Sequence, residues 1–238
     1  MEPSLPSQQA ENVKVLSTDE LQKIDRLLRE HQILKRSGEY FPILTEGLGA
    51  QDNTHCYSGN SGLTILHAAA MKNSDKVIEL LLGYGFDVNQ TDNSLRTPLH
   101  YAAQHDFPNA AKALFKHGAN ANLIDASGAT PLFLAVEYQA TSPESEDTVE
   151  YFLRRKEVQK NAKCRGKTVL HLAIEKDLPD RWIDLLAENG VDTEIKNDEN
   201  KTALELAQEK IGLTSNEFND NQNVIARLKY HKEYPPQK

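Results

Sequence analysis

The sequence predicts an all-α solenoid, built of short helix–turn–helix units stacked side by side and closed at each end by helical caps. Three observations carry that expectation. A Leu-His pair followed within two residues by alanine recurs at His67, His100 and His171. The first two copies stand 33 residues apart, and a further 33 reach Phe133 in Thr130-Pro131-Leu132-Phe133-Leu134-Ala135, the same phrase with its histidine replaced. Gly85 and Gly118 keep the same step of 33 residues. Self-similarity at such a period marks a repeat architecture, in which each unit buries its apolar face against its neighbours.

Thr97-Pro98-Leu99-His100-Tyr101-Ala102-Ala103 matches the Thr-Pro-Leu-His-x-Ala phrase of the ankyrin repeat. The chain resembles the ankyrin-repeat family over residues 59–211. The expected units lie near 59–90, 91–123, 124–161 and 162–195, with the first helix of a fifth from 196.

The first unit runs from Gly62-Leu63-Thr64-Ile65-Leu66-His67 through Val77-Ile78-Glu79-Leu80-Leu81-Leu82 to Gly85-Phe86-Asp87-Val88-Asn89. It reads as a turn, a short helix, a second helix with buried leucines and a loop. Gly85 stands where a helix end needs a residue tolerant of positive φ. The second unit repeats this with Ala111-Lys112-Ala113-Leu114-Phe115 and Gly118. The third opens at Asp125-Ala126-Ser127-Gly128-Ala129-Thr130 and then departs. Its second helix, Val149–Leu153, ends 71 residues after Leu82, which is five more than two periods. The surplus is placed in Gln139–Glu146, a Ser/Pro/Glu stretch with turn chemistry. Arg154-Arg155-Lys156-Glu157 stands where the exit glycine is expected. The fourth unit has Thr168-Val169-Leu170-His171, Trp182–Leu186 and Gly190. The fifth opens at Lys201–Ala207, and Val224–Leu228 serves as its second helix after a polar connection from Gly212 to Asn221. Residues 212–238 are expected to form a C-terminal capping helix and tail, polar on its outer side. Ser17-Thr18-Asp19-Glu20 offers helix-start chemistry before Leu21, Ile24, Leu27 and Leu28, so 17–58 is expected to form an N-terminal helical cap. Residues 1–16 are polar and proline-containing and are expected to be disordered.

The charge balance is 27 basic against 35 acidic residues, a net −8, which argues against a nucleic-acid partner. Cys56 and Cys164 give no disulfide framework and set the expectation of a reducing, intracellular location, cytoplasmic or nuclear. No apolar run reaches the roughly 18 residues of a membrane span. The opening Met1-Glu2-Pro3-Ser4-Leu5-Pro6 lacks the basic and apolar regions of a secretory signal. No cofactor is expected. Gly166-Lys167-Thr168 imitates the end of a phosphate loop, but the glycine required five positions earlier is Asn161. The repeated histidines stand one unit apart, too far to share a metal, and the resemblance implies that they and their threonines hydrogen-bond the backbone. The Asn200-Lys201-Thr202 sequon falls in a repeat turn.

The resemblance implies function as well as fold. Most ankyrin arrays bind other proteins through a concave surface of hairpin tips and first helices. Carried over to this chain, those positions include Met71 in the first unit, Asn93, Arg96, Gln104 and His105 in the second, Glu137 and Tyr138 in the third, and Arg165, Lys167 and Lys176 in the fourth. Lys72, Cys164 and Glu175 fall in the same set. Arg96, His105, Tyr138 and Arg165 have the side chains best suited to anchor an interface. The resemblance also implies a modification site, since ankyrin proteins are substrates of an asparaginyl hydroxylase that prefers a leucine eight residues upstream and an acidic-aliphatic pair directly before the asparagine. Asn89, behind Asp87-Val88 and eight residues after Leu81, fits that preference and equally fits a plain loop cap. The expectation is a non-enzymatic adaptor, inhibitor or targeting protein, monomeric before binding another protein. A host-directed microbial or viral effector, acting in host cytoplasm, is the alternative within that class. An enzyme with its site in the terminal helices is the alternative outside it.

Overall fold

Threonines set where the first helices begin. Thr64 is the extended N-cap of α1 (Ile65–Ala70), and its Oγ1 accepts the His67 amide at 3.4 Å. Thr97 and Thr168 hold the same extended backbone before α3 (Pro98–Gln104) and α7 (Val169–Glu175). Pro98 and Pro108 occupy first-turn positions, where the missing amide is of no consequence. The other helices are α2 (Asp75–Gly83), α4 (Pro108–Lys116), α5 (Pro131–Gln139), α6 (Asp147–Leu153), α8 (Asp180–Glu188), α9 (Ala203–Leu213) and α10 (Asp220–Glu233).

These elements come from a computed structural model that describes residues 61–139, 147–213 and 220–235, together with Asp19, Gln22, Lys23 and Arg26, which are helical and exposed. The rest of the N-terminal cap expected at 17–58, the segment 1–16 and most of the Gln139–Glu146 surplus lie outside the described residues. Among the described residues the architecture is an all-helical solenoid, with one isolated two-residue bridge and no sheet.

First helices stack in one layer, α1 on α3, α3 on α5, α5 on α7 and α7 on α9. A second layer carries α2 against α4, α4 against α6 and α8 against α10. Helices of 6 to 9 residues do not persist alone in water, so each depends on its neighbours. Leu66, Leu99, Leu132 and Leu170 are buried at the same position of successive first helices. Val77, Ile78, Leu81, Leu114, Phe152, Trp182 and Ile183 fill the second layer, and together they form one continuous core. At the C-terminal end Val224 and Leu228 of α10 are buried. Arg227 bonds Asp180 at 3.0 Å and also reaches Asp184, while His231 bonds Asp184 at 2.9 Å.

The histidines join one unit to the next. His67 Nε2 meets the Arg96 carbonyl at 2.9 Å, His100 Nε2 the Ala129 carbonyl at 3.2 Å, and His171 Nε2 the Lys201 carbonyl at 2.9 Å. A carbonyl only accepts, so Nε2 carries the proton and Nδ1 is the acceptor. Nδ1 of His100 receives the Thr97 amide at 3.1 Å and faces Thr97 Oγ1 at 2.8 Å. Burial lowers the pKa of all three rings, that of His100 to about 4. Phe133, at the equivalent place in the third unit, makes no such bond.

The surplus in the third unit is six residues, not five. Asn89 Oδ1 accepts the Asn120 amide, 31 residues on, and Asn161 Oδ1 accepts the Asp192 amide, again 31 on. Between them Asn122 Oδ1 accepts the Gln159 amide, 37 residues on. Leu153 therefore takes the place of Leu114 and Leu81, and Leu82 is not its counterpart. The fourth hairpin then drops one residue. Asp92 Oδ1 accepts the amides of Ser94 and Arg96, Asp125 Oδ1 those of Ser127 and Ala129, and Asn197 Oδ1 those of Glu199 and Lys201. Cys164 stands in that position and cannot do so. Its hairpin closes through Arg165 and Gly166 at φ of 51° and 76°, the pair of positive φ that a two-residue hairpin uses. A Cβ on Gly166 would run into the Asp198 carboxylate, so this glycine belongs to hairpin stacking.

Leu99 is fully buried, and Leu99→Ala is expected to lower unfolding free energy by about 2–5 kcal/mol, read from urea denaturation. The neutral histidines make the array acid-sensitive. Protonating Nδ1 turns an acceptor into a donor facing the Thr97 amide, whereas the unfolded ring titrates near 6.5. Between about pH 6.5 and about pH 4 the unfolded chain binds more protons, so the His100 contribution is complete above 6.5 and is lost as pH falls through 4. Urea midpoints should drop across that window, and His100→Gln should be less stable at pH 7 but flatter below 6.5.

Candidate functional site

The hairpins and the C-terminal ends of the first helices share one face because side chains bond across them. In the second, fourth and fifth units the residue just before the capping threonine reaches the residue eight places further along. Arg96 Nη1 donates to Gln104 Oε1 at 3.0 Å, Lys167 pairs with Glu175 at 2.7 Å, and Lys201 pairs with Glu209. In the third unit the first member is Ala129, so Glu137 is left for Arg165 of the next hairpin, which donates to it at 3.1 Å. Arg165 also donates to Ser127 Oγ at 3.1 Å.

A buried carboxylate lies behind this face. Asp125 is 3 % exposed and receives Arg96 Nε at 3.2 Å and Ser127 Oγ at 2.6 Å. Burial works to raise its pKa, but the Ser127 hydroxyl, the amides of Ala129 and Ser127 and the Arg96 guanidinium outweigh it and hold the group below the usual carboxylate range. Tyr101 donates to Asp92 at 2.6 Å and lies under the Arg96 guanidinium, 5.9 Å from ring centroid to Cζ. Burial first, then the bond to Asp92, pushes the Tyr101 phenol up, so it remains a donor.

The sequence-derived candidates divide by environment. Arg96, Gln104, Glu137, Arg165 and Lys167 are joined to partners within the array, as above. Asn93 is exposed at a hairpin tip, with its amide on the Ser61 carbonyl at 3.1 Å. Met71 is the half-buried C-cap of α1. His105, exposed, stacks on Phe107 with centroids 5.6 Å apart, and partial burial lowers its pKa. Tyr138 is 40 % exposed near the end of α5, and Lys176 is exposed at the C-cap of α7. Met71, His105 and Lys176 make no polar bond to another of these candidates. Asn89 is half-buried in an exit turn, its side chain bonded to Asn120 at 2.7 Å.

Cys164, expected on the accessible face, is buried at 2 % exposure. Its thiol donates to the Ser127 carbonyl at 3.6 Å, an acceptor that in neighbouring junctions takes a backbone amide from the next hairpin. Burial pushes that thiol's pKa up, which keeps the proton in place. Sequence reading missed Asp92, Asp125 and Tyr101, which anchor the face from beneath. The recurrence of Asp92 and Asp125 one period apart is the signal that finds two of them. Among the described residues no group of three histidine, cysteine or carboxylate side chains is arranged to hold a metal, and no helix is long and apolar enough to cross a membrane.

A family model described as ankyrin repeats matches in three copies, over residues 31–125 and 66–163. No curated protein matches the chain.

Arg96→Ala leaves the buried Asp125 short of a charged donor and should lower unfolding free energy by about 1.5–3 kcal/mol, measured by urea denaturation. Spacing alone makes Arg96 an interface anchor, and its bonds to Asp125 and Gln104 make it a support of the face as well.

Proposed function

The chain belongs to the ankyrin-repeat family, and from that premise we propose that it is a non-enzymatic adaptor, inhibitor or targeting protein that captures another protein on the concave face of its second to fourth units. Ankyrin repeats are protein–protein interaction modules. The observation that carries the site assignment is the pre-set surface formed by Arg96, Gln104, Glu137 and Arg165, whose bonds cross from hairpin to helix and from unit to unit. Side chains already fixed in place lose little freedom on binding, so less of the contact energy is spent on ordering them. Tyr138 and His105 project beside that surface and supply aromatic contact area. The second-helix layer offers a different surface, where Lys112 sits 5.7 Å from the Tyr151 ring centroid and Lys116 pairs with Glu79 at 2.7 Å.

The test compares two variants in affinity capture from the native extract, followed by titration of the captured protein in purified form. His105→Ala/Tyr138→Ala should weaken binding at least about tenfold, which corresponds to about 1.4 kcal/mol. Its circular dichroism and melting temperature should stay close to the parent, because exposed substitutions shift stability by only about 0.5 kcal/mol. Lys112→Glu/Lys116→Glu should bind as the parent does. The reverse pattern puts the interface on the second helices and defeats the assignment.

A further inference from the structure

One register position carries the free charge of the face. Counting eight residues from each capping threonine gives Lys72, His105, Tyr138, Lys176 and Lys210, one from each unit. The first four are exposed. Most neighbouring carboxylates on the same face are already paired: Glu137 with Arg165, Glu175 with Lys167, Glu209 and Glu199 with Lys201, and Asp177 with Lys210. Lys210 is thereby used up, and its Nζ also donates to the Ile174 carbonyl at 3.0 Å. The side-chain ammonium groups of Lys72 and Lys176 have no hydrogen-bond or ion-pair partner among the described residues. The unpaired charge along this column is therefore positive, in a chain whose net charge is −8. Among the described residues, carboxylates outside those pairs stand beside the column at Asp75, near Lys72, at Asp106, next to His105, and at Asp198, exposed at the tip of the fifth hairpin.

We propose that the column receives an acidic segment of the partner protein, laid across the units with carboxylates at Lys72 and Lys176 and apolar or aromatic side chains at His105 and Tyr138. This rests on the binding role proposed above and adds the chemistry of the partner. Geometry fits an extended segment. Stacked helices stand about 8–10 Å apart, and an extended chain rises about 3.3 Å per residue, so adjacent column positions answer to about every third residue of the ligand. Lys72 and Lys176, three units apart, span about nine residues of it. Lys72 and Lys176 turn basic segments away, and like-charge repulsion of that kind sets specificity as much as attraction does.

The experiment is a selection of random linear peptides, about twelve residues long and thus able to span the column. It is run on the full chain and on Lys72→Glu/Lys176→Glu. The parent should enrich Asp and Glu several-fold over the input library, and the variant should lose that enrichment. The best peptide should bind the variant about tenfold more weakly, and its affinity for the parent should fall as salt rises. Peptides that compete with one another, lose binding in His105→Ala/Tyr138→Ala and carry no acidic excess overturn the acidic-partner inference and leave the binding face standing. Peptides whose binding survives both variants overturn the face as well. A selection that enriches nothing, or labelled single-stranded DNA binding with the same dependence on Lys72 and Lys176, also overturns the inference.

Discussion

One hydrogen bond, repeated, holds the register of the array. An imidazole in one unit accepts from its own capping threonine and donates to a carbonyl in the next hairpin, so a helix start and a neighbouring turn are fixed by the same ring. The direction of the two bonds requires a neutral ring with its proton on Nε2. Apolar burial supplies most of the driving force, but it is non-directional and tolerates sliding. The histidine bonds do not. Where Phe133 replaces histidine, the junction is held by other means: the Cys164 thiol on Ser127, Arg165 on Glu137 and Ser127, and Asn122 on Gln159.

Much of this was legible in the chain. The 33-residue period, the threonine starts and the buried leucines follow from spacing and residue type alone. The count at the third unit went astray for a specific reason. Leu82 and Leu153 both end apolar helices, and a six-residue gain followed by a one-residue loss in the next hairpin leaves a net five at the first helices. A single offset hides two opposite changes. The second change is announced by Cys164, since a thiol cannot gather hairpin amides as Asp92, Asp125 and Asn197 do.

Spacing outlines the face proposed for binding but not how its side chains are engaged. Spacing placed Arg96 among the exposed positions, but its partner Asp125 lies 29 residues away, and nothing local shows that the guanidinium is already engaged. The recurring eight-residue step from a basic residue to an acid or amide, at Arg96 and Gln104, Lys167 and Glu175, Lys201 and Glu209, was present in the text of the sequence. It explains why a surface rich in charges carries little free charge. Net charge over the whole chain misses that local cancellation, so the overall acidity and the positive column are compatible.

The hairpin side and the helix side of the array are also fastened by different forces. Along the hairpins run the imidazole–carbonyl bonds, the tip-to-tip amides such as Ala126 on Ser94, and the asparagine bonds at Asn89, Asn122 and Asn161. Through the first three units the second helices meet chiefly through aliphatic and aromatic contacts, whereas α8 and α10 are also tied by Arg227 and His231. Hydrogen bonds weaken steeply with angle and distance, whereas apolar contacts yield to small shifts. The solenoid is therefore an anisotropic spring: stiff along its hairpin rail, compliant along its outer layer. Bending of the array is absorbed by the second helices, and the spacing of the hairpins stays constant while it happens.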